Sequence, residues 1–214
     1  MNYRKPAVLL TWLILILSPS FIFAQDTVRI VHHNYTTVFS VSKRYPVLVE
    51  WSTTKRELTC SVGAKRGDKF LPDPKIPDAS NIDDDYKGSG FDRGHISPAA
   101  DARCNQSDMD ESFYFTNMAP QYPGLNRGQW KMLEDRTRAL ALEKDSVHIR
   151  AGCVGDAGKI KRVAIPTHCW KVLQFSNTTE AYVFPNVSQR SASFELHRVS
   201  LDSVTKISGF RFNR

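Results

Sequence analysis

One helical stripe, set late in a chain that otherwise alternates like strands, constrains the fold most. Between residue 126 and about residue 143, Trp130, Leu133, Thr137, Leu140 and Ala141 recur at the helical period. Elsewhere the period is two. Residues 28–32 and 38–41 alternate apolar and polar side chains, residues 47–51 follow as a third strand, and residues 113–116 read as a buried one. Residues 147–150 and 161–166 are strand-like again, and residues 170–175 and 180–184 read as a pair of central strands. A polar stretch over residues 65–90 holds Pro72, Pro74, Pro77 and the run Asp83, Asp84, Asp85, so it reads as mostly loop. Many strands with one dominant helix predict an α+β fold. At 214 residues and 41% apolar, without repeat or linker, the chain fits one domain with a substantial core.

The N-terminus predicts export. Arg4 and Lys5 precede an apolar run over residues 7–17, then Ser18-Pro19-Ser20 and a short apolar stretch ending at Ala24. This is the layout of a secretory signal peptide over residues 1–24, which leaves residues 25–214 as the mature domain, secreted or periplasmic. The rival reading is an uncleaved anchor, but an apolar run of about eleven residues is well short of the roughly twenty that span a bilayer. Removing residues 1–24 lowers the formal charge from +7 to +5. That excess favours polyanions such as nucleic acid or an anionic membrane surface, although many exported proteins are basic without binding either.

Four cysteines, Cys60, Cys104, Cys153 and Cys169, all follow Ala24. An even count in an exported chain suggests two disulfides with three possible pairings. Cys153 and Cys169 flank two strand-like stretches with a glycine-containing turn, which favours pairing them and leaves Cys60 for Cys104. No Cys-x-x-Cys spacing supports a metal site, and free buried thiols are the remaining alternative.

The chemistry concentrates in two stretches. Phe91-Asp92-Arg93-Gly94-His95-Ile96-Ser97-Pro98-Ala99-Ala100-Asp101 places a histidine, which titrates near neutrality and suits a general base, beside an arginine whose planar fork fits a phosphate. A neutral imidazole in that role needs a carbonyl or carboxylate on its other nitrogen, and Gly94 permits a tight backbone and close approach of substrate. About twenty residues later come Thr116-Asn117-Met118-Ala119-Pro120-Gln121 and then Asn126-Arg127-Gly128-Gln129-Trp130-Lys131-Met132-Leu133-Glu134-Asp135. Asn126, Trp130, Glu134 and Arg138 are four apart and form one slanting ridge, with Trp130 in the core and Glu134 and Arg138 at its edge. On helix physics alone Asn126 also suits an N-cap, and Glu134 with Arg138 an ordinary surface ion pair.

Together these stretches resemble the DNA/RNA non-specific endonucleases, the ββα-metal or His-Me finger nucleases that include the endonuclease G relatives. The similarity extends to residues 152–171, with Val163-Ala164-Ile165-Pro166 and Trp170-Lys171, and to residues 207–212, so it covers nearly all of the mature chain. The resemblance implies one domain with a central mixed or antiparallel sheet and a ββα-metal site. It further implies His95 as general base, Asn126 as a metal ligand through its side-chain oxygen, and Glu134 as the active-site glutamate. Arg66 matches a phosphate-contacting arginine, with Lys65 able to take its place, and Arg138 matches an arginine on the same helix; with Arg93 they are the candidate substrate-binding residues. The implied activity is hydrolysis of DNA and RNA to 5′-phosphorylated pieces, with Mg2+ as cofactor and Mn2+ as a substitute. The alternatives are an inactive nucleic-acid-binding relative and a metal phosphodiesterase with a smaller substrate. One departure is Ala151-Gly152-Cys153, where the family more often has Thr-Gly-Pro; a disulfide adaptation is expected there.

Overall fold

The alternating stretches form a sheet because each exposes one apolar edge that only a second layer can bury. In the computed structural model, which describes residues 26–61, 63–189 and 192–212, that sheet has seven strands. The strands of the chain are β1 (Thr27–Val31), β2 (Tyr35–Ser40), β3 (Tyr45–Thr54), β4 (Asp92–His95), β5 (Met118–Gln121) and β6 (Ser146–Val154), followed by β7 (Lys159–Ile160), β8 (Val163–Ala164), β9 (His168–Phe175), β10 (Thr178–Pro185) and β11 (Arg198–Val199). The large sheet runs β1-β2-β3-β6-β9-β10-β11, and every neighbouring pair in it is antiparallel. Helices are α1 (Lys55–Leu58), α2 (Gln106–Glu111), α3 (Lys131–Lys144) and α4 (Leu201–Ser208). The fold is α+β, as the patterning predicts.

Each face of the sheet has its own cover. On one face Val49 and Trp51 of β3, Ile149 and Ala151 of β6, Leu173 of β9 and Phe184 of β10 pack on Leu133, Leu140 and Ala141 of α3 and on Trp130 just ahead of it. The predicted helical stripe is thus the buried one. On the other face Trp170 and Val172 of β9 and Ala181 of β10 pack on Val204 of α4 and on Phe210 and Phe212 beyond it. β9 alternates between the two faces, as the period of two requires. Both disulfides form as the cysteine spacing favours, Cys60–Cys104 and Cys153–Cys169. The second joins register partners of β6 and β9. Beside it Gly152 is obligatory, since a Cβ there would lie 2.1 Å from the Val47 carbonyl oxygen of β3.

Two expected strands fall elsewhere. Residues 113–116 do not form a strand: Tyr114 is extended and makes an isolated bridge to Leu71, Phe115–Asn117 is a 3-10 turn, and the strand starts at Met118. The Asn117 side chain explains the shift. It accepts from the Ser97 amide and donates to the Ser97 and Ser112 carbonyls, which satisfies loop backbone that a ladder would otherwise have to supply. Residues 161–166 divide as well, because Lys161 takes φ 44° and turns the chain between β7 and β8. Among the described residues, no helix is long and apolar enough to cross a membrane. The expected signal peptide over residues 1–24 lies outside the described residues.

Candidate active site

A small second sheet carries the chemistry-bearing stretches. β4 pairs antiparallel with β5, placing His95 opposite Met118 and Gly94 opposite Ala119. The chain then turns through Leu125–Trp130 into α3, so two strands and a helix enclose the site. One hydrogen bond locks helix to strand: Trp130 Nε1 donates to the His95 carbonyl at 3.0 Å. Trp130 is fully buried, as its place on the ridge predicts. Gly94 permits the tight backbone expected of it: a Cβ there would lie 2.3 Å from the buried Gln121 Oε1, so the partner strand itself demands the close approach.

The ridge itself is interrupted. Gly128, at φ −106° and ψ −115°, kinks the segment ahead of α3. Asn126 lies before that kink, within the wide turn rather than at an N-cap, which Gly124 occupies. Its Nδ2 donates to Asp92 Oδ2 at 2.9 Å. Arg127 grips the same carboxylate with both prongs, Nε to Oδ2 at 2.8 Å and a terminal nitrogen to Oδ1 at 2.6 Å. A carboxylate only accepts, so Asp92 fixes which end of the Asn126 amide it meets and leaves the oxygen for the cleft. Asp92 and Arg127 were within the recognised stretches, but their pairing across 35 residues has no signature in the sequence.

Five of the six expected side chains line one cleft of about 280 Å3: Arg66, His95, Asn126, Glu134 and Arg138, with Arg127 and Lys131 beside them. Arg93 lines an adjoining section of about 270 Å3 that shares Arg66, His95 and Asn126. Its guanidinium lies over the Phe70 ring at 5.2 Å and pairs with Asp83 at 2.5 Å, while its buried Nε has no partner among the described residues. Arg66 sits over the Phe113 ring at 5.1 Å and pairs with Asp68. Lys65 does not line the cleft; its amide is held by Gln106.

Among the described residues His95 finds no carbonyl or carboxylate for its second nitrogen: Nε2 is buried without a partner there. Aromatic rings hold it instead, Phe113 perpendicular at 4.9 Å and Phe70 at 5.7 Å. Burial among them, and then the Arg66 charge, pushes its pKa down to about 3, so the ring is neutral at physiological pH. Nδ1 is the nitrogen left for the cleft.

Glu134 and Arg138 are not the ion pair that their spacing allows. Arg138 donates to Asp101 at 3.1 Å and to Asp135 at 2.5 Å. Asp101 is itself anchored to β3, accepting from Trp51 Nε1 at 3.1 Å and Thr53 Oγ1 at 2.7 Å. Burial raises Glu134 to about 7, with Lys171 the chief opposing influence. Among the described residues no group of three or more His, Cys, Asp or Glu could hold a metal, so any ion here relies on few protein donors.

Comparison with known proteins decides the family. The model of the DNA/RNA non-specific endonucleases matches residues 16–214. The chain belongs to that family. It is 35% identical to the mitochondrial nuclease 1 of Schizosaccharomyces pombe, over 74% of this chain and 54% of that protein. A nuclease of a Nostoc species is 31% identical over 87% of this chain and 73% of its own length. The chain thus spans between half and three quarters of these relatives. The crystal structure of an EndoG/EndoGI complex superposes with a TM-score of 0.78 at 29% identity, covering 86% of this chain and 84% of that one. For this endonuclease-family member the departure at residues 151–153 has its explanation in the Cys153–Cys169 bridge.

Proposed function

We propose that the protein is an exported, sugar-non-specific endonuclease that hydrolyses DNA and RNA and leaves 5′-phosphorylated products. The observation that carries this reading is the convergence of His95, Asn126, Glu134, Arg138 and Arg66 on one cleft in a chain of this family. The neutral His95 ring accepts a proton from water at Nδ1 as the water oxygen bonds to phosphorus. The bond from phosphorus to the 3′ oxygen breaks, and the phosphate stays on the 5′ side. Arg66, Arg93 and Arg138 answer the charge on the phosphate oxygens. All three address the backbone, which carries no base information, so lack of sequence preference follows.

Asn126 would hold a divalent cation through its Oδ1, the end that Asp92 leaves available. When bound, that ion supplies positive charge at the phosphate and the departing oxygen, and Mg2+ suits a site of one neutral amide because it is hard and keeps its waters, with Mn2+ a substitute. Glu134 presents a carboxylate to the same cleft.

Export rests on residues 1–24, which have the layout of a signal peptide, and on two disulfides, which suit an oxidising compartment. The fission-yeast relative is mitochondrial, so the family does not set the compartment.

A digest of supercoiled plasmid and of RNA by residues 25–214, with Mg2+ and with chelator, tests the reading. Degradation of both polymers that needs the ion and is lost in His95→Ala is the expected result. Cleavage that survives either change overturns the assigned base or the metal role.

A further inference from the structure

Lys171 is 1% exposed, which is rare for an unmodified lysine, because its ammonium loses its water on burial. Its place follows from strand parity. On β9 the residues Cys169, Leu173 and Phe175 pack in the α3 layer and Trp170 and Val172 in the α4 layer, so Lys171 points toward α3. The ammonium lies 4.1 Å from the centre of the Trp130 ring and 5.7 Å from that of Trp51. Trp130 and Glu134 are one turn apart, so the charge sits beneath the turn that carries Glu134 into the cleft.

The other charges in this layer are already matched. Arg138 is held by Asp101 and Asp135, and Asp101 also accepts from Trp51 and Thr53. Glu134 is the remaining carboxylate, and Lys171 acts on it through space, since the described residues show no ion pair between the two. We propose that Lys171, which does not line the cleft, is a positioning residue: it is the buried counter-charge that keeps Glu134 ionised and held at the cleft. This deepens the nuclease reading and rests on it for its catalytic consequence. Burial lowers Lys171 to about 8 and raises Glu134, and each charge opposes the shift of the other. The charges around Glu134 are Lys171 from β9, Asp101 from the turn after β4, and Arg138 and Asp135 from α3; Arg66, His95, Arg127 and Lys131 line the same cleft.

The test pairs kinetics with a titration that needs no turnover. In Lys171→Met the acid limb of kcat/KM should move up by about one pH unit, since Glu134 without its counter-charge holds its proton longer, and activity at pH 7 should fall about fivefold. A uniform loss with an unmoved acid limb would assign Lys171 a merely structural role and overturn the proposal. Should Lys171→Met fail to fold, the 13Cε resonance of Lys171 is followed with pH in the wild type and in Glu134→Gln. Loss of the carboxylate should lower the Lys171 midpoint by a comparable amount, because the coupling is reciprocal. An unchanged midpoint would overturn the pairing. A wild type that binds but never cuts nucleic acid removes the nuclease reading, while the titration still decides the pairing.

Discussion

The two faces of the seven-stranded sheet do different work with the same strands. Under α4 the centre of the layer is apolar, with Trp170, Val172, Ala181 and Val204 closed by Phe210 and Phe212, and its charges, Glu50 paired with Arg150 and His148, lie half-exposed beside it. Under α3 the apolar layer continues, but Lys171 and Asp101 are buried in it, and His95, Glu134 and Arg138 stand where it meets the cleft. Burying ionised groups is costly unless each meets a partner, so the α3 face gives up stability that the α4 face keeps. The contrast separates residues that hold the fold from residues that hold the chemistry. It can be broken by substitutions on either side.

The largest effect should come from the cleft end of the α3 face. Asn126→Ala should lower turnover by more than about 100-fold and weaken the dependence on divalent ion together with it, since loss of an outer partner alone costs about 10–100-fold in metal sites. Asp92→Asn should fall in that lower range, because its amide can no longer dictate which end of Asn126 it meets. Both are read as kcat against Mg2+ concentration, with a melting curve to confirm folding. An Asn126→Ala enzyme with unchanged ion dependence would place the ion elsewhere.

Sequence patterning made the α3 face legible to an uneven degree. The stripe of Trp130, Leu133, Leu140 and Ala141 was readable because helical burial repeats at a fixed period. Cys153 with Cys169 was readable because the strands around them pair in register. The family resemblance named His95 and Asn126, and the fold brings both to one cleft. What escaped were contacts between distant stretches. The partners of Arg138 were missed because Asp101 lies 37 residues away, and Glu134 at i−4 offered a simpler local match. The kink at Gly128 was hidden because a helical period looks the same on both sides of it. The expected orienting acceptor on His95 was argued from imidazole chemistry, whereas this chain uses the rings of Phe113 and Phe70.

A smaller effect, purely on stability, should mark the opposite face. Val204 is fully buried under β9 and β10 and has no part in the cleft. Val204→Ala should cost about 2 kcal/mol through lost packing, lowering Tm by roughly 4–8 °C for a domain of this size. Turnover measured well below the new Tm should not change. A drop in kcat there would show that the two faces are coupled through the sheet.

The last effect is a pH dependence centred on His95, on the α3 side of the sheet. Burial, and then Arg66, brings His95 from its ordinary value near 6.5 to about 3 in the folded chain. As pH falls below 6.5, the unfolded chain takes up a proton that the folded chain refuses until pH approaches 3. Stability from the neutral ring is therefore complete above 6.5 and declines as pH falls toward 3. His95→Gln removes that proton uptake. Melting curves of wild type and variant from pH 7.5 to 4 should give a Tm difference that shifts in favour of the variant once pH passes below 6.5. Titrations common to both chains cancel in the difference. Val204→Ala, which alters no ionisable group, should keep a constant offset from wild type over the same range. A constant offset for His95→Gln as well would mean that the ring is not held as a buried neutral base, and the cost assigned to the α3 side would then lie elsewhere than in His95.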